Sequence, residues 1–383
     1  MVFSSRSVLV MREKQMDAVR ERLTATAEPV TAERIAEAVR AEGLALGTGT
    51  TAQLVKTLRD ELVGLGPLQQ FVDTPGVTDV LLDGSGRIWT DGAHGLTDTA
   101  ARIGSEEQAR TLARRLISVA GGRLDEGHPC ADGRIGSCRV HAVIPPIAVE
   151  GTMISLRVAR SSTAGLQQLS EQWTGADQWV AALKELVSRR RSYLVSGATG
   201  SGKTALLAAM LSEVPGTERI LVVEDTTELT PDHPHVMHLQ GRGGNVEGAG
   251  RVEMGQLVRE TLRMRPDRLI VGECRGAELR DFLTAMNTGH AGAGGTVHAN
   301  SPQAVPARLI AMGALAGLTP ETVAVQAAAA LDTVIHMERR GGHRMPTALA
   351  ALRYDDGRLT MVPALTTCRD GLRRGPAWED LLG

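Results

Sequence analysis

One run of eight residues constrains the fold of this chain more than any other feature. Residues 197–204 read Gly-Ala-Thr-Gly-Ser-Gly-Lys-Thr and fit the pattern G-x-x-x-x-G-K-[ST]. Ser192–Ser196 before the run is typical of a short buried strand, and Ala205–Met210 after it is rich in helix-forming residues. A strand, a glycine-rich loop and a helix in this order predict a phosphate-binding site in an α/β fold.

The chemistry of such a loop gives each residue type a role. Glycines allow backbone N–H groups to turn inward around phosphate oxygens, and the helix N-terminus adds partial positive charge. Lys203 is expected at the β- and γ-phosphates, and the Thr204 hydroxyl is expected to coordinate Mg²⁺. We therefore predict that ATP and Mg²⁺ bind here, with eight loop residues in contact: Gly197, Ala198, Thr199, Gly200, Ser201, Gly202, Lys203 and Thr204.

Two apolar runs that end in carboxylates follow this loop. The predicted strand Arg219–Val223 leads into Glu224, and a carboxylate beside a phosphate loop can polarise the attacking water. The second run starts at Asp267 and ends at Glu273, which we predict as the acidic partner of Mg²⁺. Asp267, at the start of its strand, is expected to be a cap or an ion-pair residue.

Two groups of histidines lie in the second half of the chain. Gly289–Asn300 contains His290 and His298, and no cysteine or carboxylate completes a metal-ligand set around them. We interpret this segment as a glycine-rich loop that senses the γ-phosphate, with His298 as the contact. Three more histidines lie in a proline-rich loop and are interpreted as surface or packing residues: His233, His235 and His238.

Strand and helix patterns alternate from residue 176 to the histidine segment, which predicts a mainly parallel sheet with crossover helices. Residues 58–160 instead show an α+β pattern, and residues 1–57 show helical spacing with Thr31 as a candidate N-cap. Ser161–Gly175, rich in Ser, Thr, Gly and Gln, is predicted to be a flexible linker. The α+β pattern rests on four predicted strands and one helix: Val77–Asp83, Arg87–Thr90, Arg139–Ile144, Thr152–Val158 and Glu106–Val119.

Composition narrows the function further. A net charge of −2 argues against a broad electrostatic nucleic-acid binder, and three Phe, four Trp and two Tyr are too few for a base-stacking platform. No run reaches the roughly 18 apolar residues of a membrane-spanning helix. The four cysteines show no C-x-x-C spacing, so a reduced, cytoplasmic protein is expected.

The phosphate loop, the two carboxylate-ended runs and the histidine segment, in this order, resemble those of the secretion ATPase superfamily. That superfamily includes the motors of type II and type IV secretion and of type IV pili. Val223–Leu229 resembles its Asp box, Gly289–Asn300 resembles its His box, and Leu262–Gly276 is especially close. The four-cysteine metal module of many relatives is absent. Four N-terminal segments narrow the resemblance to the CpaF-type ATPases of Flp/Tad pili: Gly64–Leu68, Val77–Val80, His141–Pro146 and Ile154–Arg157.

The resemblance implies a hexameric ATP-hydrolysing motor, with a RecA-like P-loop domain at residues 176–383 and a smaller α+β domain that closes over bound ATP. Glu224 matches the catalytic glutamate, Glu273 the Walker B glutamate and His298 the nucleotide-linked histidine. The implied partners are platform proteins of the inner membrane, which would hold this cytoplasmic protein at the membrane without direct nucleic-acid binding. The resemblance also implies that arginines of the smaller domain meet the phosphates, at positions Arg134, Arg139 and Arg157.

Two alternatives remain open at this stage. A nucleic-acid translocase could use the same RecA-like core, although the near-neutral charge and the scarcity of aromatic residues argue against it. An ATP-binding scaffold without turnover is the other alternative, and the presence of both Glu224 and Glu273 argues against that one.

Overall fold

The computed structural model describes residues 18–19, 22–23, 31–42, 55–56, 58–60, 62–92, 95–158, 164–242 and 250–383. The chain divides into two compact units, residues 1–160 and 161–383. Much of the predicted helical stretch 1–57 lies outside the described residues. Within it, helix α1 (Ala32–Ala41) begins after Thr31, whose side chain accepts a hydrogen bond from the Arg34 N–H, so this predicted N-cap is confirmed.

The first unit contains a six-stranded antiparallel sheet. Its strands are β1 Val77–Leu82, β2 Arg87–Gly92, β3 Thr97–Arg102, β4 Cys130–Ile135, β5 Cys138–Val143 and β6 Met153–Val158. Further helices in its described ranges include the 3₁₀ turn Gly66–Leu68, α2 Gln69–Val72 and α3 Glu106–Val119. The spatial order of the strands is β3-β2-β1-β6-β5-β4.

One face of this sheet is covered and the other is solvated. Leu112, Leu116 and Ile117 of α3 belong to one buried cluster with inward residues such as Val140 and Leu156 of the strands. The exposed and buried residues alternate along β5 and β6, as expected for an antiparallel sheet with one solvated face. The α+β prediction for residues 58–160 agrees with these elements, although β3 and β4 were not predicted.

The second unit is built on a nine-stranded sheet. Its strands are β7 Tyr193–Gly197, β8 Ile220–Glu224, β9 Val236–Gln240, β10 Arg268–Cys274, β11 Gly294–His298, β12 Thr333–Arg340, β13 His343–Asp355, β14 Arg358–Cys368 and β15 Gly371–Arg374. Its helices are α4 Leu166–Ser170, α5 Ala176–Ser188, α6 Lys203–Leu211, α7 Met254–Thr261, α8 Glu278–Asn287, α9 Val305–Leu315 after the 3₁₀ turn Pro302–Ala304, α10 Pro320–Ala330 and α11 Trp378–Leu382.

The strand order β15-β14-β13-β12-β7-β11-β10-β8-β9 places β7 near the centre of the sheet. The six strands from β12 to β9 are parallel, which confirms the predicted α/β class, and β13 to β15 extend the sheet as antiparallel strands. Both faces are covered: Tyr193 and Val195 enter one hydrophobic cluster, and Leu194 enters the other. Burial on both faces explains why β7 begins with consecutive apolar residues, Tyr193 to Val195, and does not alternate apolar with polar ones.

The segment expected to be a flexible linker is packed from residue 164 onward. It forms α4, and Leu166 and Trp173 are buried in the core of the second unit. The Trp173 Nε1–H also donates to the Arg344 carbonyl at 3.0 Å. The polar composition of the segment concealed these two apolar anchors, so residues 164–175 cannot supply the expected flexibility.

The histidine segment was also interpreted incorrectly in part. Residues 294–298 form β11, a buried strand between β7 and β10, and not a loop. An added Cβ at Gly294 would lie 3.0 Å from the Tyr193 ring, and one at Gly295 would lie 2.8 Å from the Val271 carbonyl oxygen. The glycines therefore allow close packing of neighbouring strands.

In the described part of the chain, no single helix is long and apolar enough to cross a membrane. Only a pair of helices bent by 118°, Pro302–Leu315 with Pro320–Ala330, reaches the required length and hydropathy when its members are taken together.

Candidate nucleotide site

The phosphate loop connects β7 to α6, as predicted. Gly200 and Gly202 adopt φ angles of 72° and 95°, a left-handed region that favours glycine. Gly202 immediately precedes the first residue of α6, so the loop delivers its backbone N–H groups to a helix N-terminus. This local geometry is suited to an anion with several oxygens.

Lys203 spans the loop. Its Nζ donates to the carbonyl oxygens of Gly197 at 3.1 Å and Ala198 at 3.0 Å, and the residue is buried. Burial lowers the pKa of Lys203, while the nearby Glu273 carboxylate opposes that shift. An anionic ligand in the loop would compensate this desolvated ammonium.

A hydroxyl group of the loop also suits a ligand. The Ser201 Oγ is buried and has no hydrogen-bond partner within the described ranges. It lies in the curve of the loop, 2.5 Å from where a Cβ on Gly197 would stand. A buried polar atom without a partner is costly unless a ligand or water satisfies it. Such an orphan inside a phosphate loop fits a bound phosphate oxygen.

Glu224 ends β8 and is 5% exposed. Its Oε1 accepts hydrogen bonds from the backbone N–H groups of Glu228 and Leu229, both at 3.1 Å. Its Oε2 has no hydrogen bond to any described residue. The carboxylate is therefore anchored through one oxygen, and the other oxygen is left to accept a proton.

Gly272 gives Glu224 the space that it occupies. The two residues are neighbours across the β8/β10 pair, and an added Cβ at Gly272 would stand 2.5 Å from Glu224 Cγ and 2.9 Å from its Oε1. A real Cβ does not approach another heavy atom so closely. Any side chain at position 272 must therefore displace the Glu224 carboxylate.

We expect Gly272→Ala to lower the maximal rate of ATP hydrolysis by about 10- to 100-fold, because small displacements of a catalytic group cost rates of this order. Nucleotide affinity should stay within about twofold, since the loop itself is untouched. Steady-state phosphate release and equilibrium nucleotide binding would separate the two effects. Gly165→Ala is the matched control, because an added Cβ there meets nothing within 4 Å and its φ is −68°. Wild-type turnover by Gly272→Ala would contradict this account of Glu224.

Glu273 follows Gly272 on β10 and is paired with Arg275. The Glu273 Oε2 lies 2.6 Å from Arg275 Nη2 and accepts a hydrogen bond from Arg275 Nε at 2.8 Å. Neighbouring carboxylates, chiefly that of Glu273, raise the pKa of Arg275 despite its partial burial. Arg275 was not among the predicted site residues; it lies just past the end of β10, two residues after Glu273.

The residues predicted to hold Mg²⁺ suit such an ion. The Thr204 hydroxyl forms no hydrogen bond within the described ranges, and Glu273 offers a carboxylate at the same edge of the sheet. Hydroxyl and carboxylate oxygens are preferred ligands of this hard cation. Bound Mg²⁺ would compete with Arg275 for Glu273.

His298 ends β11 and pairs with Gly197 in the register of β11 and β7. Its Nε2 lies 2.7 Å from the Thr199 Oγ1, so the histidine contacts the phosphate loop directly. Partial burial, followed by the charge of Lys203, lowers the pKa of His298.

The three remaining histidines of the predicted proline-rich loop do not share one environment. His233 Nε2 lies 3.1 Å from the Pro215 carbonyl oxygen, and His235 Nε2 lies 2.9 Å from Arg219 Nη1. These two contacts agree with a packing role. His238 lies on β9, a strand that was not predicted, and its Nδ1 is 3.7 Å from Glu224 Oε2. It therefore belongs beside the candidate site.

The predicted N-terminal arginines form a row in the first unit. Arg134 of β4 pairs with Arg139 of β5, and Arg139 pairs with Arg157 of β6. The row continues to Asp79 of β1, whose Oδ1 lies 3.5 Å from Arg157 Nε. Directly paired residues share one face, and Arg139 and Arg157 are exposed, so the solvated face of the sheet carries this row.

Asp267 precedes β10 and caps backbone groups there, as predicted from the sequence. Its Oδ2 accepts a hydrogen bond from the Arg219 backbone N–H at 2.9 Å, and its carbonyl accepts one from Arg190. It therefore fixes the amino-terminal edge of the sheet. The loop, Glu224, Glu273 and His298 lie at the opposite edge, where neighbouring parallel strands present their carboxyl ends.

The family to which this chain belongs follows from comparison with known proteins. Residues 61–354 match the family described as "Type II/IV secretion system protein". A putative conjugal transfer protein of Mycobacterium tuberculosis is 44% identical over 345 residues, which cover 88% of this chain and 98% of that protein. The conjugal transfer protein TrbB of Rhizobium radiobacter is 29% identical, over 76% of this chain and 88% of its own length.

Solved structures agree on the fold. The pilus retraction motor PilT with bound ADP superposes with a TM-score of 0.52 at 21% identity, over 74% of this chain and 81% of that one. This likeness supports the assignment of fold class. With the family match over residues 61–354, it places the chain in the secretion ATPase superfamily, as a member of the type II/IV secretion system protein family.

Proposed function

We propose that this protein hydrolyses ATP to ADP and phosphate and that the energy drives assembly of a Flp/Tad-type pilus or a related secretion machine. One observation carries the catalytic part. A phosphate loop crossed by a buried Lys203 ammonium lies at the same sheet edge as the buried Glu224 carboxylate. One oxygen of this carboxylate is anchored by two backbone N–H groups, and the other accepts no hydrogen bond from the described residues and lies 3.7 Å from His238 Nδ1. A phosphate cradle beside a held base is what hydrolysis of a phosphoanhydride requires.

In the proposed mechanism, the loop N–H groups and Lys203 bind and orient the β- and γ-phosphates. Glu224 Oε2 accepts a proton from the attacking water, while the two N–H donors on Oε1 keep the carboxylate in position. Mg²⁺, when bound near Thr204 and Glu273, would neutralise charge on the phosphate oxygens. His298, in contact with Thr199, would report the presence of the γ-phosphate to the loop.

The motor part of the proposal rests on the family. The family match covers most of this chain, and PilT, a protein that shares the fold, is a pilus retraction motor. We infer a hexameric ring, located in the cytoplasm and held at the inner membrane by platform proteins. Mass photometry with Mg²⁺ and a non-hydrolysable ATP analogue should give a particle of six times the 40.6 kDa chain mass.

Substitution of the proposed base tests the chemistry. Glu224→Gln should bind Mg-ATP with near wild-type affinity and hydrolyse it about 10²- to 10⁴-fold more slowly, because the amide keeps the shape but cannot accept the proton. Glu273→Gln should also retain Mg-ATP binding and hydrolyse it slowly, since the amide oxygen lacks the negative charge of the carboxylate proposed to hold Mg²⁺. Single-turnover phosphate release and nucleotide titration measure the two properties separately.

Glu321→Gln is a suitable control, because Glu321 is exposed in the first turn of α10. Its turnover should equal that of the wild-type chain, with or without added single-stranded DNA. If single-stranded DNA strongly increased ATP turnover by the wild-type chain, that result would instead support a nucleic-acid translocase. A wild-type chain that binds ATP without releasing phosphate would support a scaffold.

A further inference from the structure

Arg344 is an exposed residue of the β12–β13 hairpin that lies against the phosphate loop. Its Nε donates a hydrogen bond to the Gly200 carbonyl oxygen at 2.9 Å. An added Cβ at Gly202 would lie 3.2 Å from Arg344 Cδ and 3.4 Å from its Cβ. The side chain therefore runs along the loop as far as the residue that precedes α6.

The position of Arg344 is fixed by the backbone around it. Met337 of β12 pairs with Gly197 of β7, the first residue of the phosphate loop. The rest of β12 and the start of β13 therefore extend beyond β7 on the side of the loop. The Trp173 indole N–H holds the Arg344 carbonyl at 3.0 Å, and His343 Nδ1 lies 2.6 Å from Gln172 Oε1. Within the described ranges, the terminal nitrogens Nη1 and Nη2 of Arg344 have no hydrogen bond or ion pair.

The strand order shows which end of a nucleotide would meet this arginine. β8, β10 and β11 lie on one side of β7, and they carry Glu224, Glu273 and His298, the groups proposed to act at the γ-phosphate. β12 and β13 lie on the other side of β7. A nucleotide with its γ-phosphate at the first side would extend its remaining portion toward Arg344.

We propose that Arg344 is a nucleotide-binding residue of the same chain and that it contacts the portion common to ADP and ATP. This inference rests on the proposed nucleotide site and deepens it. A guanidinium with two free terminal nitrogens can pair with a phosphate oxygen or stack on the purine, and either contact favours both nucleotides equally. Arg344 would therefore contribute to affinity and not to the chemical step.

The test is isothermal titration of the full-length chain with ADP and with a non-hydrolysable ATP analogue, both in excess Mg²⁺. Arg344→Gln should lower the affinity for both nucleotides by about 10-fold, the usual scale for a lost charge-assisted hydrogen bond. Its maximal rate at saturating ATP should stay within about twofold of wild type. Unchanged affinity would overturn the inference, and so would a loss confined to the ATP analogue.

A second substitution at the same position separates a nucleotide contact from support of the loop. Glutamine retains an amide N–H that can reach the Gly200 carbonyl oxygen, whereas Arg344→Ala removes both charge and donor. A nucleotide contact predicts weak binding by both variants, and a role limited to bracing the loop predicts weak binding by the alanine variant alone. Arg358→Gln, an exposed arginine just beyond the far end of β13, should bind like wild type. A wild-type chain that binds neither nucleotide would refute the proposed function itself.

Discussion

Lys203→Ala is expected to reduce ATP hydrolysis by at least about 10³-fold and to weaken nucleotide binding, because electrostatic groups aimed at a transferring phosphoryl group make contributions of this size. The Lys203 ammonium already spans the loop through the Gly197 and Ala198 carbonyls. A phosphate chain in the loop would bring anionic oxygens to this desolvated charge. Phosphate release at saturating ATP and a nucleotide titration measure the two losses.

No other lysine of the described chain can replace this charge. Lys56 pairs with Asp73 at 3.3 Å, and Lys184, which lies in the same unit as Lys203, pairs with Glu213 at 3.1 Å. Lys184→Ala is therefore the matched control, since it removes a lysine from the same unit at an exposed ion pair. Its turnover should be unchanged. Full activity of Lys203→Ala would show that the loop is not the site of hydrolysis.

Three strands of the parallel core, β7, β8 and β10, were predicted from the sequence because burial on both faces leaves short apolar runs in them. The central strands β11 and β12 were not predicted, because glycines open β11 and charged residues end β12. The strands at the edges of both sheets were not predicted: β3, β4, β9 and β15. An edge strand has fewer buried positions and carries polar residues and glycine, so its pattern is weak. β4, for example, contains Asp132, Gly133 and Arg134 in succession.

The residues of the candidate site also divide into those that the sequence predicted and those that it did not. Residues whose proposed role follows from local spacing, such as Lys203 and Glu224, were predicted from the sequence. Gly272 and Arg344 were not, because each acts through a neighbour distant in the chain. The close approach of Gly272 to Glu224 exists only once β8 and β10 are adjacent, and Arg344 meets Gly200 only once β12 lies beside β7.

The arginine row on the first unit is expected to supply positive charge to the γ-phosphate. Replacing Arg134, Arg139 or Arg157 with glutamine should identify the residue that does so, with a loss of about 10³- to 10⁵-fold in turnover for the contacting arginine. The three lie side by side across β4, β5 and β6, so each must be replaced separately to find the one that acts. Arg114→Gln on α3, exposed and paired with Glu126, is the control.

Mixing two inactive variants then shows which chain provides the arginine. Lys203→Ala keeps the arginine row but lacks the phosphate-loop charge, and the inactive arginine variant has the reverse defect. If the arginine acts on ATP bound to a neighbouring chain, mixed assemblies contain active pairs and regain part of the wild-type rate. If it acts within its own chain, mixtures stay inactive at every ratio. Normal turnover by all three single variants and by the triple variant would refute any role for the row. The assembly state must be measured in each mixture, because a shift to monomers would itself lower activity.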